Sequence, residues 1–151
     1  MKKTHIIIHH TASRDDPIAK DWEGLRAYHL AKGWRDIGYN WGGEMVDHLA
    51  VIREGRSLDI QGAHCRNHNM NRIGIGFAVI GNFELAPPPP ALIDMVADKC
   101  VFLCREYGIP AWHIDPHSKY SNTLCPGRLF PMNYLRELVR ARLNSYPKEV
   151  V

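Results

Sequence analysis

The run Ile73-Gly74-Ile75-Gly76-Phe77-Ala78-Val79-Ile80 contains no polar side chain. A strand with one wet face alternates apolar and polar residues, so an unbroken apolar run reads as a strand covered on both faces. The two glycines inside it mark a place where another element packs close to the backbone. Ile6-Ile7-Ile8 is a shorter β-branched run of the same kind. Buried strands need helices on their faces, and the chain supplies candidates. Asp16 and Pro17 read as the N-cap and first-turn proline of a helix through Trp22, Leu25, Tyr28 and Leu30, with Gly33 to end it. The stiff stretch Pro87 to Pro90 leads into a second helix with Leu92, Met95, Val96, Val101, Phe102 and Leu103, closed by Gly108. A third helix follows Pro131, with Leu135, Leu138, Val139 and Leu143 at helical spacing. Tyr39 to Ile60 has a strand-like pattern with Glu54-Gly55-Arg56 as its turn, and Ala111 to His113 reads as one more short strand. The expectation is an α/β fold: a single domain with a central mixed β-sheet flanked by about three helices.

A chain of 151 residues buries enough surface to hold a core without a staple. Any metal it binds is therefore read first as chemical equipment. The balance of 19 basic and 16 acidic residues gives a net charge of +3, too weak and dispersed to point to nucleic acid. Four cysteines provide no disulfide framework: Cys100 and Cys104 share a helix, and Cys65 and Cys125 lie in separate segments. A reduced, cytoplasmically made chain is the simpler reading. Before His9 the only apolar run is Ile6 to Ile8, too short for a signal-peptide core or for membrane insertion.

Metal-capable side chains concentrate at His9-His10, at His117 and at Cys125, the last two eight positions apart. Two imidazoles and a thiolate make a suitable donor set for a catalytic zinc, which keeps one position open for water. Spacing alone does not decide for zinc, since Cys125 also reads as a small buried hydrophobe.

The flanking residues carry more. Ile6-Ile7-Ile8-His9-His10-Thr11-Ala12-Ser13 resembles the first motif of the amidase family shared by short phage endolysins and animal peptidoglycan recognition proteins. Gly33-Trp34-Arg35-Asp36-Ile37-Gly38-Tyr39-Asn40 resembles its second, and Glu54-Gly55-Arg56 its third. Gly62-Ala63-His64, Asn69, Asn71, Ile73-Gly74-Ile75 and Ile80-Gly81-Asn82-Phe83 are similar to its central segment, and His117 with Thr123-Leu124-Cys125-Pro126-Gly127 to its last. The blocks occur in family order.

This resemblance implies that residues 1–151 form one zinc amidase catalytic domain of the peptidoglycan recognition type. It implies Zn2+ held by His9, His117 and Cys125, with His10 as a neighbour, because adjacent strand residues point to opposite faces. It implies Tyr39 and Thr123 as catalytic residues; the other reading of Tyr39 is a half-buried strand aromatic. His64, Arg56 and Asn71 are the candidates for substrate contacts. Their alternatives are a surface-loop histidine, a turn-closing arginine and a turn-forming asparagine. Trp34 and Trp41 are readable as sugar-stacking or as packing residues. One segment departs from the family pattern: Trp41 to His48 is unlike the usual strand-turn-strand and reads as a few residues longer. The implied reaction is hydrolysis of the amide joining N-acetylmuramic acid to L-alanine in peptidoglycan. The implied biology is a monomeric phage or prophage lysin, made in the host cytoplasm and released to the wall through a separate pore.

Overall fold

The apolar run supplies the central strand of a five-stranded sheet. The computed structural model describes residues 1–12 and 20–145. Its strands are β1 (His5–His10), β2 (Trp41–Val46), β3 (Leu49–Glu54), β4 (Gly74–Val79) and β5 (Ile114–Pro116), in the order β3-β2-β4-β1-β5. β2, β4, β1 and β5 run parallel, and β3 returns antiparallel on the edge, so the sheet is mixed. The helices are α1 (Trp22–Ala31), the single turn α2 (Met70–Ile73), α3 (Pro90–Tyr107) and α4 (Met132–Ser145).

Alternation along the strands divides the molecule into two faces. Ile6 and Ile8 of β1 and Ile75, Phe77 and Val79 of β4 pack against Leu92, Ile93, Val96 and Cys100 of α3 and Leu135 and Val139 of α4. On the opposite face Ala78 meets Trp22 and Leu25 of α1, and Ile7 meets Met70 of α2. Here β4 presents only Gly74, Gly76 and Ala78, so neighbouring groups pack directly against the strand. Met95 and Phe102 fall on the outer side of α3, and the buried stripe uses Cys100 and Cys104 instead. All four cysteines are free and buried.

Several local expectations are corrected. The proposed cap at Asp16 and Pro17 lies outside the described residues; the N-cap of α1 is Asp21, whose carboxylate accepts the Gly24 N–H at 2.7 Å. Gly33 does close α1, in the left-handed region at φ +86°. The hairpin turn is Asp47-His48, both with positive φ, and not Glu54-Gly55-Arg56. Two left-handed residues in a two-residue loop match the twist of the flanking strands, so Trp41 to Glu54 is a regular hairpin. Ala111–His113 is a 3-10 turn rather than a strand, and β5 begins one residue later. Among the described residues no helix is long and apolar enough to cross a membrane.

Candidate metal centre and active site

His9 sits near the C-terminal end of β1 on the α1/α2 face and is 1% exposed. His10 points the other way: its Nδ1 accepts the Phe83 N–H at 3.1 Å. β5 lies beside β1, with Pro116 opposite Ile8, so the residue after it, His117, arrives next to His9 with ring centroids 4.5 Å apart. The following loop folds back, tied by the Ser118 N–H to the Cys125 carbonyl at 2.9 Å. That return brings the Cys125 Sγ to 3.8 Å from His9 Nδ1.

The donor atoms of His9, His117 and Cys125 all lie within 4.8 Å of one another. Donors bound at about 2.0–2.3 Å to a tetrahedral zinc stand roughly 3.5 Å apart. The trio is thus close to the required spacing, and its nitrogen and sulfur donors suit that ion. The group consists of three side chains among the described residues, the number that a catalytic site pairs with an open position.

Burial sets the protonation. It holds His9 well below the usual imidazole range, helped by His64 and His117, and lowers His117 as well. Both rings are neutral at neutral pH and offer lone pairs. Burial also pushes the Cys125 thiol up to about 11, partly offset by the His10 N–H that donates to its sulfur at 3.4 Å. An ion entering the site displaces that thiol proton.

Tyr39 enters from the loop before β2, half-buried, with its ring 5.0 Å from that of His9. Burial, then the nearby Cys125, raises its phenol above the ordinary value, so the hydroxyl stays protonated and able to donate. Thr123 Oγ1 accepts the Cys125 N–H at 3.2 Å. It borders a groove of about 470 Å3 lined also by Trp34, His64, Arg66, Asn71 and His117. A second cleft of about 290 Å3, with Glu84 and Arg128, opens on the other side of Thr123.

The three residues considered for substrate contact behave differently. The Arg56 guanidinium donates to the carbonyls of Ile37, Asp36 and Gln61 at 3.0, 3.1 and 2.9 Å, so it braces two loops. Asn71 Oδ1 accepts the N–H groups of His64 and Cys65 at 2.6 and 2.7 Å, which shapes the groove's floor. His64 is no surface histidine. The residue is 9% exposed, its Nδ1 lies 3.1 Å from His9 Nε2, and burial lowers its pKa to about 3. Sequence reasoning missed that contact, although a histidine in a glycine-flanked loop and a glycine inside a buried strand were its two signals. Trp34 lines the groove beside His29, whereas Trp41 lies away from it, under the Lys99 ammonium at 3.4 Å.

The profile of the N-acetylmuramoyl-L-alanine amidase family matches residues 1–128. The chain belongs to that family. It is 31% identical over 152 residues to the N-acetylmuramoyl-L-alanine amidase of Sus scrofa, covering 95% of this chain. It is 30% identical over 134 residues to peptidoglycan-recognition protein LB of Drosophila melanogaster, covering 83% of this chain. The matches span only 24% of the pig protein and 56% of the fly protein. Among solved structures it resembles the amidase LysC from Clostridium intestinale, with a TM-score of 0.76 at 25% identity over 95% of this chain and 86% of that one. The fold is also that of Drosophila PGRP-LB in complex with tracheal cytotoxin, with a TM-score of 0.67 at 24% identity over 96% and 82% of the two chains.

Proposed function

We propose that residues 1–151 form one catalytic domain that hydrolyses the amide between N-acetylmuramic acid and L-alanine in peptidoglycan, using Zn2+ held by His9, His117 and Cys125. The observation that carries this reading is the convergence of those three side chains, from a strand end and a distant loop, in a chain of the amidase family. Zinc bound there supplies a Lewis acid and a water whose pKa falls toward about 7. The groove beside His117 and Thr123 orients the muramyl-peptide so that its scissile carbonyl meets these groups. The protonated Tyr39 hydroxyl and the Thr123 hydroxyl donate to the oxygen that gains negative charge as the carbonyl becomes tetrahedral. Thr123 is uncharged, so its contribution is a hydrogen bond and not an ion pair.

The protein acts as a monomer of the endolysin type, made in a host cytoplasm and released to the wall through a separate pore. Support for this part is the likeness to LysC and a site built within one chain. The test is digestion of purified sacculi, with the new chain ends identified by mass spectrometry. Release of L-alanine amino termini with an intact muramic acid is the expected result. The similarity to recognition proteins favours one other reading, a module that binds the wall without cutting it. Zinc-loaded protein that binds sacculi yet frees no amino termini would establish that reading instead.

A further inference from the structure

The reaction scheme gives His64 no role, yet its Nδ1 lies 3.1 Å from Nε2 of His9. Its position follows from hydrogen-bond bookkeeping on His9. A neutral imidazole has one N–H and one lone pair. His9 turns Nδ1 toward Cys125 Sγ, at 3.8 Å, and Nε2 toward His64 Nδ1, at 3.1 Å. A lone pair offered on the Cys125 side leaves the His9 proton on Nε2, aimed at His64. His64 Nδ1 must then accept, so its own proton sits on the buried Nε2.

The ring is built into place. A Cβ at Gly76 would lie 2.4 Å from its Cδ2 and 2.9 Å from its Nδ1, and a Cβ at Gly62 2.8 Å from its Cδ2. It therefore rests directly on strand β4 and against the loop backbone. Its own N–H and that of Cys65 are both held by Asn71 Oδ1. The two rings meet edge-on, 5.1 Å between centroids and 85° between planes. Metal-bound histidines generally donate their second N–H to an acceptor that fixes tautomer and ring angle. Here the acceptor is another histidine, seated on glycines.

We propose that His64 is a positioning residue for the metal centre: it accepts the His9 Nε2 proton and so keeps His9 Nδ1 free and aimed at the ion shared with His117 and Cys125. The inference rests on the metal reading above. It removes His64 from the residues that touch substrate and gives Gly62, Gly76 and Asn71 a purpose in the same device.

The test compares His64→Leu, of similar size without an acceptor, with His64→Asn, whose Oδ1 occupies the place of Nδ1. Zinc affinity is read by competition with a chromophoric chelator, and melting of the metal-free proteins is recorded beside it. His64→Leu should bind zinc about 10–100-fold more weakly, and His64→Asn should recover most of the loss at a similar melting temperature. Nitrogen NMR of zinc-loaded wild type, which needs no variant to fold, should show His9 protonated on Nε2. A His64→Leu protein that binds zinc as wild type does overturns the proposal, as does an asparagine variant no better than leucine, or a His9 without the Nε2 proton. Wild type that takes up no zinc at all is a different failure, since it removes the metal reading itself and this inference with it.

Discussion

Gly76→Ala tests whether the sheet seats the His64 ring. The added Cβ would stand 2.4 and 2.5 Å from Cδ2 and Cγ of a rigid imidazole. Ordinary carbon contacts need about 3.5 Å or more, so the ring must retreat by about 1 Å. A retreat of that size cannot keep the 3.1 Å bond to His9 unless His9 moves too. Overpacking of this kind costs about 1–3 kcal/mol. Relief of glycine's unfolded-state entropy returns about 0.4–1 kcal/mol. The net loss of about 1–2 kcal/mol corresponds to a fall of roughly 2–8 °C in melting temperature for a chain of this size. Gly43→Ala is the control on the neighbouring strand, where a Cβ would meet the side-chain ends Leu92 Cδ1, Val96 Cγ2 and Ile52 Cδ1 at 3.2, 3.3 and 3.8 Å. Thermal melting of the metal-free proteins and zinc titration of each should separate the two: Gly76→Ala loses both stability and zinc affinity, while Gly43→Ala keeps its affinity. A Gly76→Ala protein matching wild type in both measurements would refute the reasoning.

Elemental analysis should find about one zinc per chain, lost in His9→Ala, His117→Ala and Cys125→Ala but kept in His10→Ala, whose ring is engaged with Phe83. Loss in His10→Ala with retention in His9→Ala would reverse the assignment. Tyr39→Phe should lower kcat on sacculi on the order of a hundredfold at unchanged zinc content; a wild-type rate would remove its hydroxyl from the mechanism. His29 is held down to about 4, chiefly by burial and then by Lys32 and Arg56, and its Nδ1 accepts the Gly38 N–H at 3.0 Å. Its folded pKa lies below the unfolded value of about 6.5, so the unfolded chain binds the extra proton and stability falls as pH drops from about 6.5 to about 4. Urea unfolding across that interval should show a shallower fall for His29→Asn, which keeps an acceptor but does not titrate; equal slopes would exclude His29 as a contributor.

What was legible in the chain was whatever local pattern decides. The runs at Ile6 and Ile73 are wholly apolar and bounded, so both became buried strands, and α3 and α4 followed from helical spacing with Gly108 at a left-handed C-terminus. The hairpin was misread because its turn uses Asp47 and His48, side-chain-bearing residues in a region that favours glycine. Gly55, which looked like the turn, serves a close approach instead: a Cβ there would lie 2.2 Å from the Tyr39 carbonyl. Its N–H donates to the Asn40 carbonyl and that of Arg56 to the Tyr39 carbonyl, so the segment pins the loop carrying Tyr39 to the end of β3. The short strand near residue 111 slid to Ile114 because the turn after Pro110 takes up the intervening residues.

The candidate site divides in the same way. His9, His117 and Cys125 each stand in a recognisable block, so their residue types and order were visible before any contact. The role of His64 was not visible, because it depends on a partner 55 positions away and on the register that sets Gly76 beside Ile7 and Ala78 beside His9. That register ties the two faces of the sheet to different tasks. On the α3/α4 face, β1 and β4 offer large side chains, and the core holds them without help from the site. On the other face, β4 offers only Gly74, Gly76 and Ala78, and the space left open accommodates two imidazoles in contact. The three donor side chains thus stand on a framework whose packing lies largely on the other face of the sheet. The alternation of glycine with Ile75 and Phe77, first read as a buried strand, is also what opens the room for His64.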